Sequence, residues 1–258
     1  MKLSEYVDRL DDELDTAAYA DVDASANGLQ VGPDDAEIER VAFAVDAATA
    51  PIEAAADEGA DVLVVHHGLA WGGIERVTGQ VHDRIAALVE HDLALYVSHL
   101  PLDGHQELGN AAGVADAVGL GDREPFGEMG PVTIGTIGET ADPRSADAIR
   151  GTLDGFEGQP DGEASPTRVL DFGPEAIERV AVVTGSGVDW LDEAIAAGAD
   201  ALITGEGKQQ VYHDAREAGV TVFLAGHYAT ETFGVRTLQS LTDGWGVETT
   251  YLSHPTGL

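Results

Sequence analysis

Five residues of this chain have the side-chain types of a metal site: the adjacent pair His66-His67, then Asp103, His227 and Glu231. Three imidazoles and two carboxylates can fill a dinuclear centre if one carboxylate bridges the ions, leaving coordination positions open. Singly, each signal has a plainer explanation. Adjacent histidines at a strand end commonly serve as hydrogen-bonding residues, and an aspartate in an acid-rich chain is usually solvated. A His and a Glu four residues apart form an ordinary helix pair worth about 0.2–0.5 kcal/mol. What joins them is position. Each segment follows an apolar stretch that reads as a strand, and parallel α/β sheets gather ligands at the carboxyl ends of their strands. The chain has no cysteine, which excludes disulfides, thiolate metal sites, iron–sulfur clusters and a Cys nucleophile.

The elements that must carry these residues are legible from periodicity. Leu3, Tyr6, Val7, Leu10 and Leu14 repeat at helical spacing, which predicts an amphipathic helix over 3–14. Strands are expected at 41–45, 61–65 and 93–98, with a helix capped by Thr49 and stopped at Gly59, and another over about 75–92. His66-His67 then ends the second strand, and Asp103 lies just past the third. Residues 121–130 and 155–167 are rich in Gly, Pro and acids and read as loops, around a strand at 132–137 and a helix at 145–153. Strands at 178–184, 220–224 and 247–252 and a helix over 229–241 complete the pattern. His227 follows the strand at 220–224, with Glu231 one turn on. The fold class this predicts is α/β, with helices packed around mainly parallel sheets.

An internal repeat divides the chain. Residues 38–68 align with 177–207 without a gap, at an offset of 139, with eleven identities in thirty-one positions. Ile-Glu-Arg-Val-Ala at 38–42 recurs at 177–181, and Gly59-Ala60-Asp61 recurs as Gly198-Ala199-Asp200. One βαβ unit used twice implies two related three-layer α/β domains from an internal duplication. The expected boundaries are 1–124 plus 220–258 for a discontinuous metal-binding domain and 125–219 for the second. Where the first copy ends in His66-His67, the second has Gly205-Glu206.

Charge narrows the function classes. Forty-seven acidic residues face thirteen basic ones, a net charge of −34. Self-repulsion of that size opposes a compact fold in dilute buffer, and molar salt, with a screening length of about 3 Å, removes most of it. The balance is that of a protein from a salt-accumulating halophile. No basic patch exists to displace counterions, so nucleic acid is not an expected partner. No apolar run is long enough for a membrane span and no signal-peptide core opens the chain, so a cytoplasmic location without membrane is expected.

The chain resembles the Nif-three-like family, also called GTP cyclohydrolase I type 2 homologues. Four segments carry the likeness: Asn27-Gly28-Leu29-Gln30-Val31-Gly32, Val65-His66-His67-Gly68, His99-Leu100-Pro101-Leu102-Asp103, and Gly226-His227-Tyr228-Ala229-Thr230-Glu231. Ile203-Thr204-Gly205-Glu206 matches more weakly, since the family usually has Asp after that Gly. Two further departures are Leu100-Pro101, where Thr-Asn is common, and the lack of room for the middle domain of longer members. The resemblance implies that His66, His67, Asp103, His227 and Glu231 bind two divalent metal ions, with zinc, iron and manganese equally suited. It also implies a homohexamer built as a trimer of dimers. His99 is weighed as an orienting partner of the ligands, and the roles of His99 and Glu206 stay open. Two functions fit: a metal-dependent hydrolase acting on a nucleotide such as GTP, by cyclohydrolase-like ring opening, and a non-catalytic metal-binding adaptor or metal-handling protein. Lys208 and Arg236 are the candidate cations for an anionic substrate.

Overall fold

The computed structural model describes residues 1–33, 35–159 and 166–258. The chain divides into two compact units, Met1–Leu102 with Gly234–His254, and Asp103–Phe233 with Pro255–Leu258. Each is built on its own sheet.

The first unit opens with α1 (Leu3–Leu14), which buries Leu3, Tyr6, Leu10 and Leu14 and ends at Asp15 in the left-handed conformation. Strands β1 (Gly28–Val31), β2 (Arg40–Asp46), β3 (Val62–His67), β4 (Ala94–Val97) and β11 (Glu248–Tyr251) form one sheet in the order β1-β4-β3-β2-β11. The pairs β4-β3, β3-β2 and β2-β11 are parallel, and β1 closes one edge antiparallel. Val41 to Val45 and Val62 to Val65 are fully or almost fully buried, as continuous apolar strands covered on both faces should be. Helix α2 (Thr49–Asp57) begins at Thr49 itself, with Ala48 at the N-cap and no capping side chain, so the expected Thr49 cap is not made. Helix α3 (Gln80–Glu90) starts later than the periodicity suggests. Gly79 has φ +58°, a left-handed turn that ends any helical path through 75–79.

The second unit begins within α4 (Leu100–Gly104), followed by α5 (Asn110–Val118). Strands β5 (Leu120–Met129) and β6 (Val132–Arg144) form a long antiparallel hairpin. The expected loop at 121–130 is therefore a strand. Its Gly, Pro and acids are tolerated because β5 is an edge strand with a bulge between Gly121 and Glu124, and Gly130 (φ +63°) makes the tight hairpin turn with Pro131. Helix α6 (Ala146–Leu153) is capped by Ser145, whose hydroxyl accepts from Ala148 N. Of the expected loop at 155–167, residues 160–165 lie outside the described residues. Then come β7 (Arg168–Leu170), β8 (Ile177–Val182), α7 (Leu191–Ala196), β9 (Ala201–Thr204), α8 (Val211–Ala218), β10 (Thr221–Leu224) and α9 (His227–Thr230), with α10 (Thr232–Asp243) leading back to the first unit. The sheet order is β5-β6-β8-β9-β10-β7.

Two expectations change here. This second sheet is mixed rather than mainly parallel: only β8-β9 and β9-β10 are parallel. And β10 is hydrogen-bonded between β9 and β7, so residues 220–233, expected with the first domain, belong to the second unit, as do residues 103–124. Short-range periodicity identifies a strand but not the sheet it joins.

The repeat is visible in the hydrogen bonding. Val41, Ala42 and Phe43 face Val62, Leu63 and Val64, and the positions equivalent to them, Val180, Ala181 and Val182, face Ala201, Leu202 and Ile203. The likeness extends beyond the aligned segments. β1-β4-β3-β2 and β7-β10-β9-β8 share one order and one pattern of strand directions. Even the register anchor recurs: Asp61 Oδ2 accepts from Glu39 N and Arg40 N at 2.7 and 2.9 Å, and Asp200 Oδ2 from Glu178 N and Arg179 N at 2.9 and 3.0 Å. Among the described residues no helix is long and apolar enough to cross a membrane.

Candidate metal centre

In the first unit β3 runs through both histidines, and alternation along the strand sends them to opposite faces with different partners. His66 is fully buried, and its Nδ1 donates to the Ser98 carbonyl at 2.9 Å. His67 Nδ1 donates to Asp46 Oδ1 at 2.8 Å, across the pair in which Asp46 faces His67 on the neighbouring strand. His99 Nδ1 donates to Asp23 Oδ1 at 2.9 Å. Asp23 in turn accepts from Ser25 N, Asn27 Nδ2 and Leu100 N, and Asn27 Oδ1 accepts from His99 N. Asp23 is buried, which raises its pKa, but its bonds to His99, Asn27 and Ser25 outweigh that and hold the carboxyl below its ordinary value. All three rings thus use Nδ1 on an oxygen acceptor, an arrangement that fixes ring orientation and tautomer. Ligand atoms of His66, His67 and His99 lie within 4.8 Å of one another.

In the second unit the carboxylates and the third candidate imidazole gather around the turn after β8. Asp103 is buried, and its Oδ1 accepts from both Asn110 Nδ2 at 2.9 Å and Thr184 Oγ1 at 3.1 Å. Two donors on one oxygen hold the carboxylate in place. Next to Thr184, Gly185 has φ +56°, and a Cβ there would lie 2.2 Å from Glu231 Oε1 and 3.2 Å from His227 Nε2. Only glycine fits. His227 Nε2 is 3.2 Å from Glu231 Oε2, while its Nδ1 donates to Glu206 Oε1 at 3.1 Å. Glu206 also accepts from the Ser186 hydroxyl, the main cause of its lowered pKa. Burial of His227 favours the neutral ring, yet hydrogen bonds and charge attraction from Glu231 and Glu206 prevail and raise its pKa to about 9.

The expected single helix over 229–241 is broken at Glu231 (φ −107°, ψ 5°). Thr230 Oγ1 bonds back to the Gly226 and His227 carbonyls at 2.9 and 3.0 Å, and Thr232 Oγ1 to Ala229 O at 3.1 Å. Such back-bonding bends helices, and here it sets Glu231 at the corner. Of the candidate cations, Lys208 pairs with Asp189, and the Arg236 guanidinium lies 3.8 Å over the Tyr251 ring.

The positioning residues Asp23, Asp46, Asn110 and Thr184 were not evident from sequence, and Glu206, whose role was open, is the partner of His227. Asp46 could have been found by pairing the ends of the two strands. For the others the contact depends on the folded backbone.

A family model described as Duf34/NIF3 (NGG1p interacting factor 3) matches residues 1–256. The chain belongs to the NIF3 family. A curated relative from Halobacterium salinarum, named GTP cyclohydrolase 1 type 2 homolog, is 59% identical over 258 residues and covers 100% of both chains. A relative of the same name from Archaeoglobus fulgidus is 43% identical, again over 100% of both. A crystal structure from Thermus thermophilus superposes with a TM-score of 0.89 at 35% identity, covering 100% of each chain. The family segments at 27–32, 65–68, 99–103 and 226–231 are those that hold or orient the donors described above.

Proposed function

We propose that His66, His67, Asp103, His227 and Glu231 hold a pair of divalent metal ions, and that the protein is a metal-dependent hydrolase of a nucleotide such as GTP. The observation that carries this reading is the shared use of Nδ1. His66, His67 and His227 each place Nδ1 on an oxygen partner, so Nε2 would be the coordinating nitrogen of each proposed imidazole. The donor set, nitrogen and carboxylate oxygen without thiolate, fits zinc, iron or manganese. When bound, the ions supply Lewis acidity and charge stabilisation for attack on a ring carbon. The chain's own residues orient the donors: Asp46 and Ser98 hold the two adjacent imidazoles, Asn110 and Thr184 hold Asp103, and Glu206 holds His227. The relatives' name supports ring opening of GTP as the reaction to test first.

The experiment is GTP turnover by metal-loaded protein in molar KCl, with Asp103→Ala as the control. Turnover abolished in that variant and by chelation supports the hydrolase. Failure on GTP and on other nucleotides and phosphoesters, with full metal content, supports the adaptor or metal-handling role instead. We also infer a cytoplasmic homohexamer, a trimer of dimers, adapted to high salt. Light scattering gives its mass, and a melting temperature that rises steeply from low to molar KCl marks the salt adaptation that a net charge of −34 calls for.

A further inference from the structure

The loop after His67 carries an exposed indole beside the histidine cluster. Trp71 is 46% exposed, yet it is not loosely held. Gln30 Oε1 accepts from Leu69 N at 2.8 Å and Ala70 N at 3.3 Å. Ala26 N donates to Ala70 O at 3.1 Å and Gly72 N to Ala24 O at 2.6 Å, which pins the backbone on both sides of Trp71. The ring meets His99 edge to face with centroids 4.9 Å apart, and lies 6.1 Å from the His67 ring. Immediately afterwards the chain turns away through Gly72 (φ +67°) and Gly73 (φ +98°), and a Cβ at either would find no atom within 4 Å. A half-open aromatic surface on an anchored backbone therefore stands beside the imidazoles of His67 and His99, with open space at the turn that follows it.

We propose that Trp71 is the ring platform of this site, on which a planar heterocycle stacks while His66 and His67 hold the ions that act on it. The substrate class is then a molecule with an aromatic ring, such as a purine nucleoside or nucleotide, rather than a ring-less phosphoester. The indole is suited to this because stacking on an aromatic face tolerates different bases and needs no charged partner. In a chain of net charge −34, an uncharged stacking surface attracts the ring without depending on scarce cations. The proposal rests on the metal reading above, since it assigns the ring's place relative to those donors.

The test is equilibrium dialysis of guanosine, an uncharged probe with an aromatic ring, and of ribose 5-phosphate, an anion without one. It uses the full-length metal-loaded protein in molar KCl as wild type, Trp71→Phe and Trp71→Ala, with metal content and assembly mass measured on the same samples. The expected result is guanosine binding weakened roughly tenfold or more in Trp71→Ala, restored in Trp71→Phe, at unchanged metal content and mass. Guanosine bound equally by wild type and Trp71→Ala overturns the platform while leaving the metal reading intact. So does a metal-loaded wild type that retains ribose 5-phosphate but not guanosine. A Trp71→Ala protein that loses metal or falls to a smaller assembly assigns the indole to folding or to contact with a second copy, and also overturns it. A wild type without metal defeats the metal reading separately, by the metal count.

Discussion

The two βαβ copies share a frame and differ in the residues at their strand ends. Asp46, His66 and His67 of the first copy correspond to Gly185, Gly205 and Glu206 of the second. In the first copy the strand ends carry two of the proposed ligands, and the aspartate of one strand orients the histidine of the next. In the second copy the strand ends supply room. A Cβ on Gly185 would strike Glu231, and one on Gly205 would lie 2.7 Å from His227 Cα. The donors there come from the segment after β10, and Glu206, at the position of His67, is left to orient His227. The backbone frame thus fixes where strand ends stand, and the side chains chosen there decide whether a copy gives ligands or makes way for them.

The comparison breaks most sharply at Gly185. Gly185→Ala should cost about 2–4 kcal/mol, combining overpacking with a strained positive φ, and should lower metal content. Urea unfolding and metal analysis check this, and an unchanged midpoint would remove the steric argument. Next come the two orienting carboxylates. Asp46→Ala and Glu206→Ala should each weaken metal affinity by about 10- to 100-fold with the fold retained, as read by competition with a chelator. A large loss in one and none in the other would show that the two acids do not play matching parts.

A pH effect separates the copies further. In the metal-free protein the His227 pKa is raised to about 9 from an ordinary 6.5. The stabilisation from its charged form is therefore complete below about pH 6.5 and lost as pH rises through about 9. Chelated protein should lose melting temperature across that window, and the decline should flatten in His227→Ala. Metal replaces the ring proton, so loaded protein should not show the decline. The smallest effect sharpens the equivalence itself. Asp61→Asn and Asp200→Asn should cost similar amounts, roughly 1 kcal/mol each, because each carboxylate accepts two backbone N–H groups at the same place. Markedly unequal costs would mean that the shared register is not held in the same way.

Much of this was legible in the sequence. The amphipathic α1, the buried strands β2, β3 and β4 and the gap-free repeat follow from apolar periodicity and identical blocks; of the ligand candidates, His227 follows its strand as expected, while β3 extends two residues further than expected and takes in His66 and His67. What was not legible depends on contacts distant in sequence. β5 looks like a loop because its edge position tolerates acids and Pro, while β10 joins the second sheet through pairing with β9 and β7 and His227 follows it into the second unit. The break at Glu231 comes from threonine hydroxyls bonding back to carbonyls, and the crowding at Gly185 comes from Glu231, 46 positions further along the chain.

The most direct test of the central claim is elemental analysis of reconstituted protein. Close to two ions per chain should be found in the wild type, and clearly fewer in His67→Ala, from the first unit, and in Glu231→Ala, from the second. A wild type that holds no metal after reconstitution, or variants that hold as much as the wild type, would contradict it.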